Sequence, residues 1–347
     1  MSRTRLLLLS MYPLDAGLWG PTVRITRLRD ELARMVNLDV IDGYRAQRRP
    51  RLWRYALEGR MRGLDGIYVE SSTFLPAESD LAILGLARAL GIPVVAYVRD
   101  AYQLFPEYYP RDTLKRRLGA AAFLPAMRAL GAVSSHLAFP TTGLAEAVLG
   151  SGAAAVLLPP GAPPPIDVPR SPTANRILYI GDARLPAHGA DRLISAVEVA
   201  RRSGVDLELD VVSRDGQDPS PPPWLHAHRA EGAAIHALLP DVIATAVPRP
   251  RNRYNDLALP IKLFDGLSYG RPVLVTDCTE QARVVTDADA GIVTHDDPAA
   301  IADALIRIAS APVEQVTRWS ANASAAARRA SWEDRARTIL EVLKGSS

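Results

Sequence analysis

Leu259-Pro260-Ile261-Lys262-Leu263-Phe264-Asp265-Gly266-Leu267-Ser268-Tyr269-Gly270-Arg271-Pro272-Val273-Leu274-Val275 couples a short amphipathic helix to an apolar strand. Lys262 and Asp265 stand three apart and share a helix face. Pro260 can open that helix and Gly270 can close it. The apolar run 272–276 that follows has the content of a buried strand. A loop leading into a helix start offers backbone N–H groups and the positive end of the helix dipole to an anion. Lys262 adds a charge for phosphate, and a carboxylate can accept two hydroxyl protons from a sugar ring. Together these groups suit a sugar nucleotide.

Outward from this stretch, strand-like and helix-like segments alternate along the whole chain, the pattern of a parallel sheet covered by helices. In the first half, strands are expected at 6–9, 38–41, 66–69, 94–98, 132–137 and 154–158, with helical patterns such as 23–35 and 80–90 between them. The run Pro159-Pro160-Gly161-Ala162-Pro163-Pro164-Pro165 excludes regular structure and reads as a linker. Strands then resume at 176–180, 207–212, 242–245, 273–276 and 291–293. The expected fold class is α/β: two Rossmann-like, doubly wound parallel-sheet domains facing a central cleft, with ligands at the carboxyl ends of the strands. The boundaries fall at 1–165 and 166–328, with a terminal helix in 329–347. Two unrelated units without a shared site are the competing arrangement.

At 347 residues and 48% hydrophobic side chains, the chain is long enough for two cored domains and is nowhere compositionally disordered. Residues 1–160 carry 20 Lys and Arg against 14 Asp and Glu, a net +6, and the remainder carries −3. A basic first half favours anionic partners such as a phosphorylated substrate or a membrane surface. Cys278 stands alone, so no internal disulfide forms and a reducing compartment fits. The leucines 6–9 are too few for a signal-peptide core, and Tyr12-Pro13 interrupts them. No run approaches bilayer-spanning length.

With these pieces in place, a resemblance is visible. The stretch 259–275, the restart Ile177-Leu178-Tyr179-Ile180-Gly181-Asp182 with His188-Gly189-Ala190-Asp191-Arg192-Leu193-Ile194, the run Ala290-Gly291-Ile292-Val293, and Ser331-Trp332-Glu333-Asp334-Arg335-Ala336 together resemble the second domain of retaining GT-B glycosyltransferases of family 4. The resemblance is looser in the first domain, where 10–24, with Gly17 and Gly20, resembles the glycine-containing loop after the first strand. It implies a GT-B fold and transfer of a sugar from a nucleoside-diphosphate donor, bound mainly by the second domain, to an acceptor bound mainly by the first. It implies no metal, and no cofactor beyond the sugar nucleotide as donor substrate.

Residue by residue, the resemblance puts Asp265 where the second carboxylate of the family's E-x7-E motif holds the donor ribose. Leu257 stands in the place of the first, so that carboxylate is missing, and Asp256 or Asn255 is the available substitute. At the pyrophosphate, Gly181, Arg184 and His188-Gly189 occupy a loop one residue longer than the family's, with histidine where lysine is usual. Arg184 can bind phosphate bidentately, whereas His188 would be only partly charged near neutral pH. Lys262 and Arg184 are therefore expected on the diphosphate, with a solvent-facing loop charge as the alternative for Arg184. In the first domain Arg99 and Asp100 follow the strand at 94–98, and Arg99 replaces the histidine that the family places near the donor sugar. Either they are site members or they form an ion pair tying down the loop of Tyr102 and Phe105. Gly17 and Gly20 either allow backbone amides to approach the donor diphosphate or the acceptor, or only turn the chain, and Trp19 can touch the acceptor.

The basic stretches 45–55 and 111–128 mix cations with apolar residues, as interfacial segments and ordinary amphipathic helices both do. In the family, such helices dock enzymes with lipid-linked acceptors on membranes. A cytoplasmic protein, peripheral on the inner face of an anionic membrane, is the expectation, with a nucleotide sugar and a sugar or lipid-linked acceptor as partners. Nucleic acid is not expected, because no recognition module is present. His226 and His228 read as exposed loop residues, and no metal site is expected. The tail 331–343 has Trp332, Ala336, Ile339, Leu340 and Leu343 at helical spacing, the helix that in the family crosses back onto the first domain. Three functions fit: a retaining transferase, a sugar-nucleotide epimerase or phosphorylase on the same fold, and a non-catalytic partner or binding subunit whose donor site has degenerated.

Overall fold

The computed structural model describes residues 4–15, 20–71, 75–213 and 221–346. The chain divides into two compact units, Met1–Gly161 with Trp332–Ser347, and Ala162–Ser331. At the first crossing, the Trp332 indole lies so close to Gly161 that a Cβ there would overlap it. On the other side of the boundary the Ala162 N–H donates to Ala330 O at 2.7 Å, and Ala162 pairs with Ser331 in a lone parallel bridge.

In unit 1 the elements run β1 (Arg5–Ser10), α1 (Gly20–Met35), β2 (Asn37–Ile41), α2 (Arg45–Leu57), β3 (Gly66–Glu70), α3 (Glu78–Ala89), β4 (Val94–Tyr97), α4 (Leu114–Ala132), β5 (His136–Phe139), α5 (Thr142–Leu149) and β6 (Val156–Leu157). The described strands form a parallel sheet in the order β2-β1-β3-β4-β5-β6. Leu6, Leu7, Leu8 and Leu9 are all fully buried, which is why this strand reads as an unbroken apolar run rather than an alternating one. The strand expected at 132–137 is displaced: Ala132 ends α4, and pairing begins at His136. The basic stretch of α2 is mostly neutralised. Arg48 is buried and makes a two-pronged ion pair with Asp80, with Nε at 2.8 Å from Oδ1. Arg45 and Arg49 face Glu78, and Arg51 faces Asp42. A second buried pair joins Arg24 to Glu70 at 3.1 Å, with Tyr68 and Tyr97 packed round the guanidinium. Removing one member of either buried pair would leave an uncompensated charge, a loss of about 3–5 kcal/mol. The start of α4 differs, with Leu114 and Leu118 72% and 61% exposed beside Lys115 and Arg117.

In unit 2 the elements are β7 (Arg176–Ile180), α6 (Ala190–Arg202), β8 (Glu208–Val212), β9 (Leu225–His228), α7 (Ala233–His236), β10 (Val242–Val247), α8 (Arg253–Leu257), α9 (Ile261–Ser268), β11 (Val273–Thr276), α10 (Thr279–Ala288), β12 (Gly291–Thr294), α11 (Pro298–Ala309) and α12 (Val313–Arg329). The last helix, α13 (Trp332–Gly345), belongs to unit 1. The described strands pair in parallel in the order β12-β11-β10-β7-β8-β9. Counted within the unit this is 3-2-1-4-5-6 read from the other edge, so the direction of winding reverses between β7 and β10. One face of the sheet packs Ile177, Leu209 and Ala244 against α6 and α11. The other packs Val273 and Val275 against Leu263, Phe264 and Leu267 of α9 and Ala323 and Ala327 of α12. Burying the three α9 side chains contributes roughly 6 kcal/mol and fixes which face of the helix is left over. Arg271, buried just after α9, donates to the carbonyls of Val242, Leu239 and Val168, closing the joint between helix and sheet.

β9 corrects the reading of His226 and His228 as loop residues. Both lie half-buried on one face of an edge strand, their Nε2 atoms 2.8 Å from Glu208 and 2.7 Å from Asp210 of β8. Across both units, no helix among the described residues is long and apolar enough to cross a membrane.

Candidate active site of unit 2

The reversal between β7 and β10 leaves a crevice beyond their carboxyl ends, and the loop from β7 into α6 forms one lip of it. Gly181 opens that loop at φ +151, with its N–H bonded to Val212 O at 2.8 Å. Asp182 then organises the turn. Its Oδ1 accepts from the Arg184 N–H at 3.0 Å, and its carbonyl accepts from Tyr179 Oη–H and from His188 Nδ1, both at 3.3 Å. Burial alone would raise the Asp182 carboxyl, but the Arg184 bonds outweigh it and hold the group below its ordinary range. Gly189 closes the loop in the left-handed conformation at φ +75, where a Cβ would strike Pro248 O. The first N–H groups of α6 therefore start directly at the crevice.

Lys262 enters from the first turn of α9. Its buried neighbours Leu263, Phe264 and Leu267 turn the helix so that Lys262 and Asp265 keep a common, partly exposed face. The Lys262 ammonium lies 5.4 Å above the Tyr179 ring and against Gly181, so closely that any Cβ at Gly181 would collide with Nζ. Burial, followed by repulsion from Arg249, lowers its pKa to about 8, with Asp182 and Asp265 pulling the other way. Burial also lowers His188, helped by Lys262 and Arg249, to about 4. His188 is thus neutral at pH 7, not partly charged. With Nδ1–H donated to Asp182 O, its Nε2 remains an acceptor.

The sequence-expected residues do not all converge. Gly181, His188, Lys262 and Asp265 meet at the crevice. Arg184 is on the rim, 63% exposed, with its guanidinium folded onto Asp182 at 3.3 Å. Asp256, in α8, caps α10 by accepting from the Thr279 N–H at 3.1 Å and pairs with Arg251 at 3.3 Å. Asn255 is fully buried and donates to Pro250 O at 2.7 Å. In unit 1, Arg99 and Asp100 follow β4 and pair with each other, and Arg99 also donates to Tyr12 Oη at 3.2 Å. Gly17 and Trp19 lie outside the described residues, and Gly20 is the first residue of α1.

One residue escaped sequence reasoning. Arg249, two positions past β10, is the cation felt by Lys262, His188 and Cys278 alike. The available signal was its place after the fourth strand of the unit, which flanks the crevice in this strand order.

Residues 174–311 match the model of the family described as Glycosyl transferases group 1. No curated protein sequence matches the chain. Among solved structures, a sucrose-phosphate synthase from Thermosynechococcus elongatus is 13% identical, with 99% of each chain covered and a TM-score of 0.69. An alpha,alpha-trehalose-phosphate synthase (UDP-forming) from Burkholderia xenovorans, in complex with glucose-6-phosphate, is 12% identical, with 98% of this chain and 100% of that one covered and a TM-score of 0.65. WaaG, a glycosyltransferase involved in lipopolysaccharide biosynthesis, is 15% identical, with 99% and 100% covered and a TM-score of 0.65. At these identities the likeness establishes the fold, GT-B with two Rossmann-like units.

Proposed function

We propose that the chain is a retaining, metal-independent glycosyltransferase that moves a sugar from a nucleoside-diphosphate donor to an acceptor hydroxyl. The observation that carries this is Lys262, a cation set on a glycine at the strand-order reversal of unit 2 and joined to no carboxylate by an ion pair among the described residues. In this reading the diphosphate lies over Gly181, between the Lys262 ammonium and the first N–H groups of α6. Asp265, on the same helix face as Lys262, takes the ribose hydroxyls. His188 offers Nε2 as an acceptor to a sugar hydroxyl. Arg184 would have to leave Asp182 to reach the diphosphate. Asp256 substitutes for the missing first carboxylate only if it releases Arg251, so the donor sugar is held by fewer anionic contacts.

Departure of the diphosphate breaks the bond from the sugar anomeric carbon to the terminal phosphate oxygen. Fixed positive groups in a water-poor crevice stabilise the charge that gathers there. The acceptor oxygen bonds to the same carbon from the leaving-group side, and its proton passes to the departing phosphate oxygen. No protein base is then required. Arg99 and Asp100, after β4, are the groups of unit 1 assigned to the reacting sugars, and Gly17 and Gly20 to the donor diphosphate or the acceptor. The exposed start of α4, with Leu114, Leu118 and Lys115, is the part of the protein assigned to an anionic membrane surface carrying a lipid-linked acceptor.

The competing reading is a binding subunit with a degenerate donor site, which the engaged state of Asp256 and the neutral His188 favour. Incubation with a panel of radiolabelled sugar nucleotides separates them: release of nucleoside diphosphate with one donor, lost in Lys262→Met, supports transfer. Binding without release in the presence of acceptor extracts would support the other.

A further inference from the structure

Resting on that reading of the crevice, we infer that Arg249, rather than Arg184, supplies the second positive charge on the diphosphate and so makes the site selective for two linked phosphates over one. The strand order makes the ends of β7 and β10 the two lips of the crevice. Lys262 lies against the β7 lip, and Arg249 stands two residues past the end of the other. Its main chain is pinned. The Arg249 N–H donates to Val247 O at 3.0 Å, its carbonyl accepts from Thr276 Oγ1 at 2.5 Å, and the preceding Pro248 O abuts Gly189. These bonds fix where the side chain begins without using the side chain.

The guanidinium itself is half-buried and makes no ion pair or hydrogen bond with a described residue. The preceding Pro248 O lies against Gly189, next to His188, and the guanidinium's charge adds to burial in lowering the charged forms of Lys262 and His188. Neither cation is ion-paired among the described residues, and the nearby carboxylates of Asp182 and Asp265 offset only part of the cost of holding Lys262 charged. An anion with two adjacent charged groups offsets the rest, one phosphate meeting the compact ammonium and the other the planar fork of the guanidinium. A single phosphate meets only one of them. Arg184, by contrast, is exposed and already joined to Asp182.

Calorimetry of the full chain with inorganic pyrophosphate and inorganic phosphate, followed by UDP, GDP and ADP, tests this. Wild type is expected to bind pyrophosphate and one nucleoside diphosphate at least tenfold more tightly than phosphate and the matching monophosphate. Arg249→Met should weaken the diphosphates at least tenfold, leave the monophosphates within threefold, and so erase the preference. Arg249→Lys should restore part of it, and Arg184→Met should lose less than Arg249→Met. A merely structural role is separated by proton uptake. Binding at pH 8 recharges Lys262, so the heat depends on the buffer's ionisation enthalpy, and this dependence should shrink in Arg249→Met, where burial remains but the repulsion from Arg249 is gone and Lys262 holds its proton more firmly. The inference is overturned if wild type binds and Lys262→Met does not, yet Arg249→Met keeps its preference, or if Arg184→Met loses more. If wild type binds none of these anions, the reading of the crevice fails as well.

Discussion

Replacing Lys262 by Met removes a charge while keeping the apolar stem, and the expected outcome is a protein that is more stable and unable to bind its donor. Burial and Arg249 bring the ammonium from 10.5 down to about 8. At about 1.36 kcal/mol per pKa unit, the folded protein at pH 7 carries up to about 3 kcal/mol of unfavourable charge burial that the unfolded chain does not, and partial exposure discounts this to about 1–3 kcal/mol. The sign follows from linkage. Between pH 10.5 and 8 the unfolded chain holds the Lys262 proton more tightly than the folded one, so stability falls as pH descends through that window and is level below it. Urea unfolding of both proteins at pH 7 and pH 10 is the assay. Lys262→Met should be about 1–3 kcal/mol more stable at pH 7, and the difference should shrink at pH 10. A variant less stable than wild type at pH 7, or a difference independent of pH, would refute the claim that this lysine is held for an anion at the expense of the fold.

Other consequences can be checked separately. Nucleoside-diphosphate affinity should be nearly constant from pH 6.5 to 7.5 and about tenfold weaker at pH 9, because Lys262 loses its proton near 8 when the crevice is empty; an affinity flat to pH 9 in calorimetry would count against it. Gly181→Ala should abolish binding and destabilise the chain by about 1–2 kcal/mol, since the new Cβ strikes Nζ at a backbone angle that disfavours side chains; retained affinity would show that Lys262 is not seated there in solution. The His188 ring should stay neutral down to about pH 5 in an NMR titration, and a midpoint near 6.5 would contradict its burial beside two cations. Vesicles with anionic lipid should sediment the protein at low salt, and Leu114→Ser with Leu118→Ser should release it; equal recovery of wild type in the supernatant with and without vesicles would remove the membrane assignment.

What was legible in the sequence was what local pattern can encode. The stretch 259–275 announces a helix and a strand because its apolar residues are buried by the sheet directly beneath them, and α9 and β11 lie where that pattern puts them. The two parallel sheets followed from the alternation of apolar runs and amphipathic segments. β9 was not legible, because Leu-His-Ala-His follows a proline-rich turn and acquires strand character only through pairing with Glu208 and Asp210 of β8. Arg48 was read with its basic neighbours as part of an interfacial segment or of a solvated amphipathic face, whereas it is buried against Asp80, 32 residues away, a distance no local pattern spans. The site shows the same division. Lys262 and Gly181 stand in motif positions, but the contest between Arg184 and Arg249 is decided by which side chain already has a partner, and that depends on strand order and loop packing.

The most direct test of the central claim is a crystal structure of the chain soaked with the nucleoside diphosphate that binds best in calorimetry. The account requires the two phosphates to lie over Gly181, with one oxygen within hydrogen-bond distance, about 3 Å, of Lys262 Nζ and the pentose hydroxyls on Asp265. A nucleotide bound elsewhere, or bound at this crevice with Lys262 turned away to solvent, would contradict it.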